Sequence, residues 1–115
     1  DEKESEFADA PNGIVGLETA LAVNLTWLVK TGIISVATLV EKMSCAPARL
    51  FHLPGGTLRK GAVADLTVFD PVREWRVDPA RFLTKGRNTP YGGRILAGWV
   101  GCTIVDGSIV HRAIR

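Results

Sequence analysis

Apolar positions along the chain change their period once, near Leu53, and the change separates a helical part from a stranded part. In the first part Leu17, Leu21, Leu25 and Leu28 recur at spacings of four, four and three, with Ala20 and Val29 widening the stripe. This pattern predicts a helix from Leu17 to Lys30, stopped by Gly32, with Lys30 suited to the negative end of the helix dipole. Val23 and Trp27 fall off the stripe, so this helix is apolar around much of its circumference and expects packing on two sides. Ser35 is placed to cap a second helix, Val36 to Met43, whose Val36, Leu39, Val40 and Met43 share a face. A short third helix is expected from Pro47 to Phe51, with Pro47 in the first turn, where no N–H is needed.

Pro54-Gly55-Gly56 breaks the helical register, and the spacing beyond it is that of strands. Ala64 to Asp70 reads as a strand closed by Asp70-Pro71, and Glu74 to Val77 as a shorter one with Trp75 and Val77 on one face. Asp78 to Phe82 suits one helical turn capped by Asp78, and Lys85 to Gly93 is a loop by composition. Arg94 to Val105, then Asp106-Gly107, then Ser108 to Arg112 form the strongest hairpin signal in the chain. Asp-Gly favours the two-residue type I′ turn that joins twisted strands.

Composition adds limits. A chain of 115 residues fits one domain or a piece of a larger one, and 46% hydrophobic content is too apolar for a disordered chain. No apolar run approaches the roughly 18 residues of a membrane span. Fourteen basic against twelve acidic residues give a net charge of +2 without a basic tract, so there is no nucleic-acid signal. The arm Asp1-Glu2-Lys3-Glu4-Ser5-Glu6 is acidic where a secretory signal is basic and then apolar, which makes the cytoplasm the expected location. Phe7 is the one large apolar residue of this arm and reads as an anchor. Cys45 and Cys102 lie far apart with no neighbouring Cys or His pattern, and both read as small buried hydrophobes. His52 and His111 read as surface histidines. Asp65 and Asp70, five apart on a strand, fall on opposite faces and suit turn and cap roles. No cluster offers the three or more ligands of a metal centre. From its residues alone the chain contains no self-sufficient active site.

The stretch Ala10-Pro11-Asn12-Gly13-Ile14-Val15-Gly16-Leu17-Glu18-Thr19-Ala20-Leu21 runs from a turn-forming sequence into the first helix. Pro11 fixes its own φ, while Gly13 and Gly16 permit backbone conformations that a side chain blocks. With a helix starting near Leu17 or Glu18, the unpaired amides of the first turn would favour an anion. On spacing alone, a glycine-rich loop entering a helix is the simpler reading.

Four motifs resemble the dihydroorotases of the amidohydrolase superfamily. The Ala10 to Leu21 run is similar to the segment that follows the family's Asp-His-Ala-Pro-His. Cys45-Ala46-Pro47-Ala48-Arg49-Leu50-Phe51 is similar to Thr-x-Asn-Pro-Ala-Arg-Ile-Phe, with Ala46 where Asn is usual. Gly56-Thr57-Leu58, Gly61 and Ala64 to Asp70 resemble the superfamily's entry into its C-terminal strands. Phe82-Leu83-Thr84-Lys85-Gly86-Arg87-Asn88-Thr89-Pro90-Tyr91 is similar to Phe-x-Ser-Lys-x-x-Asn-Ser-Pro-Phe.

The resemblance implies an α/β fold: the closing helices of a (β/α)8 TIM barrel over residues 1–52, and the C-terminal part of a small β-sandwich over 53–115. It implies the C-terminal quarter of an enzyme that reversibly hydrolyses the cyclic amide of dihydroorotate to carbamoyl aspartate in pyrimidine biosynthesis. Zinc is the implied cofactor, with its ligands and the catalytic Asp outside this chain, so no catalytic or metal residue is assigned here. The family's pair of substrate-binding backbone positions maps onto Asn12 and Gly13, Asn12 standing where an aromatic residue is common. Implied partners are the small-molecule substrate, the missing N-terminal portion, further copies in a homo-oligomer, and aspartate transcarbamoylase, with no nucleic acid and no membrane. The 115 residues alone are expected to be inactive. Two alternatives remain open: a non-catalytic dihydroorotase-like structural or partner module, and a related hydrolase of hydantoin or allantoin type.

Overall fold

Ser35 and Asp78 show how short polar side chains start helical turns in this chain. Ser35 has extended backbone, and its Oγ accepts the Thr38 N–H at 3.0 Å. Asp78 Oδ1 accepts the Ala80 N–H at 3.0 Å and opens the 3-10 turn Pro79–Arg81. A computed structural model describes residues 13–113. The acidic arm and its Phe7, like Pro11 and Asn12, lie outside the described residues.

The first helix, α1, is regular over Ala20–Asn24 and continues as a π turn over Leu25–Val29, where the Lys30 N–H reaches the Leu25 carbonyl at 2.9 Å. It starts later than the Leu17 of the sequence pattern because the Gly16 carbonyl collects the N–H groups of both Thr19 (3.1 Å) and Ala20 (2.8 Å). The expected leucine stripe shifts accordingly. Leu17 is 94% exposed, and the face turned inward carries Thr19, Ala22 and Leu25. Thr26 accounts for the widening: its hydroxyl donates to the Ala22 carbonyl at 2.7 Å and accepts the Ala97 N–H of the sheet at 2.8 Å. A hydroxyl that engages the carbonyl four residues back loosens the helical ladder.

The second and third predicted helices form one helical run. Helix α2 (Val36–Val40) passes through a π turn (Glu41–Cys45) into α3 (Ala46–Leu50). Pro47 lacks an N–H, and its ring presses on the carbonyl four residues back in a regular helix. The wide turn, closed by the Ala46 N–H on the Glu41 carbonyl, precedes that position and absorbs the conflict. Of the predicted apolar face only Leu39 is buried, while Val36, Val40 and Met43 are exposed.

Three antiparallel strands form one sheet in the order β1 (Leu66–Arg76), β2 (Ile95–Val105) and β3 (Ser108–Arg112). The break read at Asp70-Pro71 is an irregularity inside a single strand: Asp70 pairs with Trp99 and Glu74 with Ala97, so β1 carries extra residues between them. Asp70 Oδ1 accepts the N–H groups of Val72 (3.0 Å) and Arg73 (3.1 Å), which keeps the bulge hydrogen-bonded. Asp65 Oδ1 accepts the Asp106 N–H at 2.8 Å, so both aspartates do hold turns. Asp106 (φ 48°) and Gly107 (φ 74°) are both left-handed, as a type I′ turn requires.

Helix α1 lies on the sheet. Ala22, Val77, Phe82 and Leu96 form the buried cluster, with Val15, Val23, Trp75 and Tyr91 packed around it, and full burial of Leu96 contributes about 2 kcal/mol. Gly98 makes the approach possible. It has φ +106°, and a Cβ there would stand 2.5 Å from Leu25 Cδ1 and 3.3 Å from Ala22 Cα. Trp27, half exposed, packs against Tyr91 with ring centroids 5.6 Å apart. Cys45, in the π turn before α3, and Cys102, on β2, are free and half-buried, less enclosed than expected. No described helix is long and apolar enough to cross a membrane.

Candidate functional site

Two loops distant in sequence meet beside the start of α1. Gly13, at φ +68°, begins the first loop in a conformation that L side chains rarely adopt. Its carbonyl accepts the Asn88 side-chain N–H at 2.8 Å, and the Val15 N–H donates to the Asn88 carbonyl at 2.8 Å. Asn88 thus grips the loop through both its side chain and its backbone. Among the described residues every peptide is trans, so turning the Gly13 carbonyl toward Asn88 sends the Ile14 N–H the opposite way.

Glu18 makes the second link. Its Oε2 accepts the Leu83 N–H at 3.0 Å and its Oε1 accepts the Thr84 N–H at 3.1 Å. One carboxylate therefore satisfies two consecutive amides, an arrangement stronger than neutral hydrogen bonds. Gly86 leaves room for the closure, since a Cβ there would lie 2.8 Å from Val15 Cγ2. The Arg87 guanidinium donates to the carbonyls of Thr84 and Gly86, which curls the Leu83–Asn88 segment on itself.

The structure places Gly13 in this junction; Asn12 lies outside the described residues. The expected anion site at the helix start is not formed by the amides of Val15, Thr19 and Ala20, all of which donate to protein carbonyls. Glu18 and Asn88 belong to two of the motifs singled out in the sequence, but nothing in their spacing announced that they meet across 65 to 75 residues. The signal available was only that each lies in a motif with a family resemblance.

Elsewhere, His52 and His111 are exposed, and His52 takes a left-handed φ of 53° where α3 gives way to the loop. Gly56, φ +72°, lets that loop close on α3, for a Cβ would meet Ala48 Cβ at 2.7 Å. The same corner holds an open cleft of about 600 Å³ lined by Cys45, Arg49, His52 and Arg59. The Arg49 guanidinium pairs with Glu41 and holds its carboxyl below the usual range. Among the described residues no three His, Cys, Asp or Glu side chains come together to hold a metal ion, so these residues do not fit the implied zinc centre.

Residues 10–111 match the amidohydrolase family, and the chain belongs to it. Within that family the chain is 56% identical over 110 residues to the dihydroorotase of Anaeromyxobacter dehalogenans, covering 96% of this chain and 25% of that protein. It is 50% identical over 111 residues to the dihydroorotase of Syntrophus aciditrophicus, at 96% and 26%. The chain thus spans about a quarter of the length of these relatives. Among solved structures, the L-hydantoinase (dihydropyrimidinase) of Arthrobacter aurescens superposes with a TM-score of 0.83 at 34% identity, over 94% of this chain and 25% of that one. The dihydropyrimidinase of Brevibacillus agri NCHU1002 gives 0.86 at 27% identity, over 96% and 25%.

Proposed function

We propose that this chain is part of a dihydroorotase, and that the Gly13 loop forms one wall of the site for the anionic cyclic amide. The observation that carries this reading is the junction itself: the Gly13 to Glu18 and Leu83 to Asn88 stretches, which belong to the two motifs that resemble separate dihydroorotase segments, hold each other by four hydrogen bonds. Identity of 46–56% to proteins of that name, against 27–34% to the hydantoinase and dihydropyrimidinase structures, supports the same substrate class. Backbone N–H groups at the Asn12 and Gly13 positions would donate to the substrate, orienting its ring without contributing a catalytic group. Hydrolysis needs an activated water and a base, and this reading assigns both, with any zinc, to the remainder of the protein, folded as the rest of a barrel. The chain alone is then inactive.

Turnover by the full-length protein tests this. Hydrolysis of dihydroorotate exceeding that of hydantoin, dihydrouracil and allantoin is the expected result. A second reading, a hydrolase of hydantoin type, rests on the fold likeness to the hydantoinase and dihydropyrimidinase structures, and faster turnover of hydantoin or dihydrouracil would establish it. A full-length protein without bound metal and without activity on any of the four would instead mark a non-catalytic module. Within an active enzyme, Gly13→Ala should raise KM, because φ +68° disfavours a side chain although nothing lies within 4 Å to clash.

A further inference from the structure

We infer that Glu18 and Asn88 are positioning residues for the substrate wall, acting together as a clamp that fixes the Gly13–Val15 backbone against the Leu83–Asn88 segment. The inference rests on the dihydroorotase reading of that wall. Each residue holds one side of the junction. Asn88 holds the Gly13 carbonyl and the Val15 N–H, and so fixes the backbone on the carbonyl side of Gly13, the residue whose own N–H the proposed function directs at the substrate. Glu18, at the entry to α1, takes the Leu83 and Thr84 amides, so the loop carrying Asn88 is anchored to the helix that follows Gly13. The loop closes on itself in space: Gly13 to Glu18 along the chain, Glu18 to Leu83 across the carboxylate, Leu83 to Asn88 along the chain, and Asn88 back to Gly13. A closed ring of this kind resists rotation of the Gly13 peptide better than either link alone, because breaking one link leaves the other to hold two segments tied at one end only. Charge matters as well as shape. A glutamine at position 18 presents an N–H₂ group to one of two backbone N–H donors and keeps a single acceptor.

The test uses the full-length enzyme with dihydroorotate. Glu18→Gln should raise KM about tenfold, on the order of one charge-assisted hydrogen bond, with kcat within about twofold of wild type. Asn88→Asp keeps the shape but turns a donor to Gly13 into an acceptor, and should raise KM at least as much as Asn88→Ala. The double variant Glu18→Gln/Asn88→Ala should raise KM by less than the product of the single effects, since both open the same ring. Asp78→Ala, which removes a cap outside the ring, should lower thermal stability while leaving KM unchanged. If folded Glu18→Gln and Asn88→Asp enzymes keep KM within twofold, the clamp is overturned while the functional reading stands. Should one variant fail to fold, the other decides. A wild-type enzyme inactive on dihydroorotate overturns the functional reading and the clamp with it.

Discussion

The β2–β3 hairpin and the seam where the α1 region meets the sheet and the Leu83–Asn88 loop are both held by hydrogen bonds, yet they are specified differently. In the hairpin the partners are neighbours: Val105 pairs with Ser108 around the left-handed Asp106-Gly107. In the seam they are 65 to 75 residues apart, as in Glu18 with Leu83 and Thr84, Thr26 with Ala97, and Asn88 with Gly13. A turn is dictated by the φ its residues tolerate, so two residues suffice. A seam exists only after loop closure has been offset by burial, so it concentrates close approaches that single atoms can spoil.

The largest expected effect is therefore at the seam. Gly98→Ala combines a left-handed φ of +106° with a contact of 2.5 Å to Leu25 Cδ1, and should destabilise the full-length protein by about 4 kcal/mol in urea denaturation. A loss under 1 kcal/mol would show that helix and strand can separate freely. Gly86→Ala comes next, since Val15 is stiff and must move from a 2.8 Å contact; about 2 kcal/mol is expected, together with faster amide exchange at Val15. The hairpin should cost less. Gly107→Ala meets no atom within 4 Å and bears only the strain of φ +74°, about 1 kcal/mol. If Gly107→Ala proved costlier than Gly98→Ala, the contrast between the regions would be wrong.

The smallest effect belongs to an exposed local pair. Glu41 and Arg49 lie eight residues apart in one helical run, and the Arg49 hydrogen bond holds the Glu41 carboxyl below its ordinary value. A carboxylate whose folded pKa is depressed contributes stability above its unfolded pKa and loses it as pH falls through the folded one. The pair's contribution is thus complete near neutrality and disappears below the ordinary carboxylate range. Arg49→Gln should return the Glu41 titration, followed by NMR, to the ordinary value, with little change in stability because both side chains face solvent.

Ser35, Asp78 and the Asp106-Gly107 turn were legible because each acts on backbone groups within three residues of itself. Pro47 does stand in the first turn of α3, as its missing N–H suggested, but the continuity of α2 with α3 through a π turn was not legible. Of the predicted leucine stripe, Leu25 is buried against Gly98, whereas Leu17 is left exposed because the Gly16 carbonyl set a later helix start. At the candidate site, Gly13 was visible as a residue and its partner was not.

By itself, then, the sequence determined the order of helices and strands, the hairpin and its turn, the caps, and membership in a family through its motifs. Only the tertiary structure decided which face of α1 is buried, that Gly98 admits the helix, and that Glu18 and Asn88 close one ring around Gly13. Propensities and caps act over a few residues and are written locally. Long-range partners are selected by packing and loop closure over the whole chain, which no single segment records.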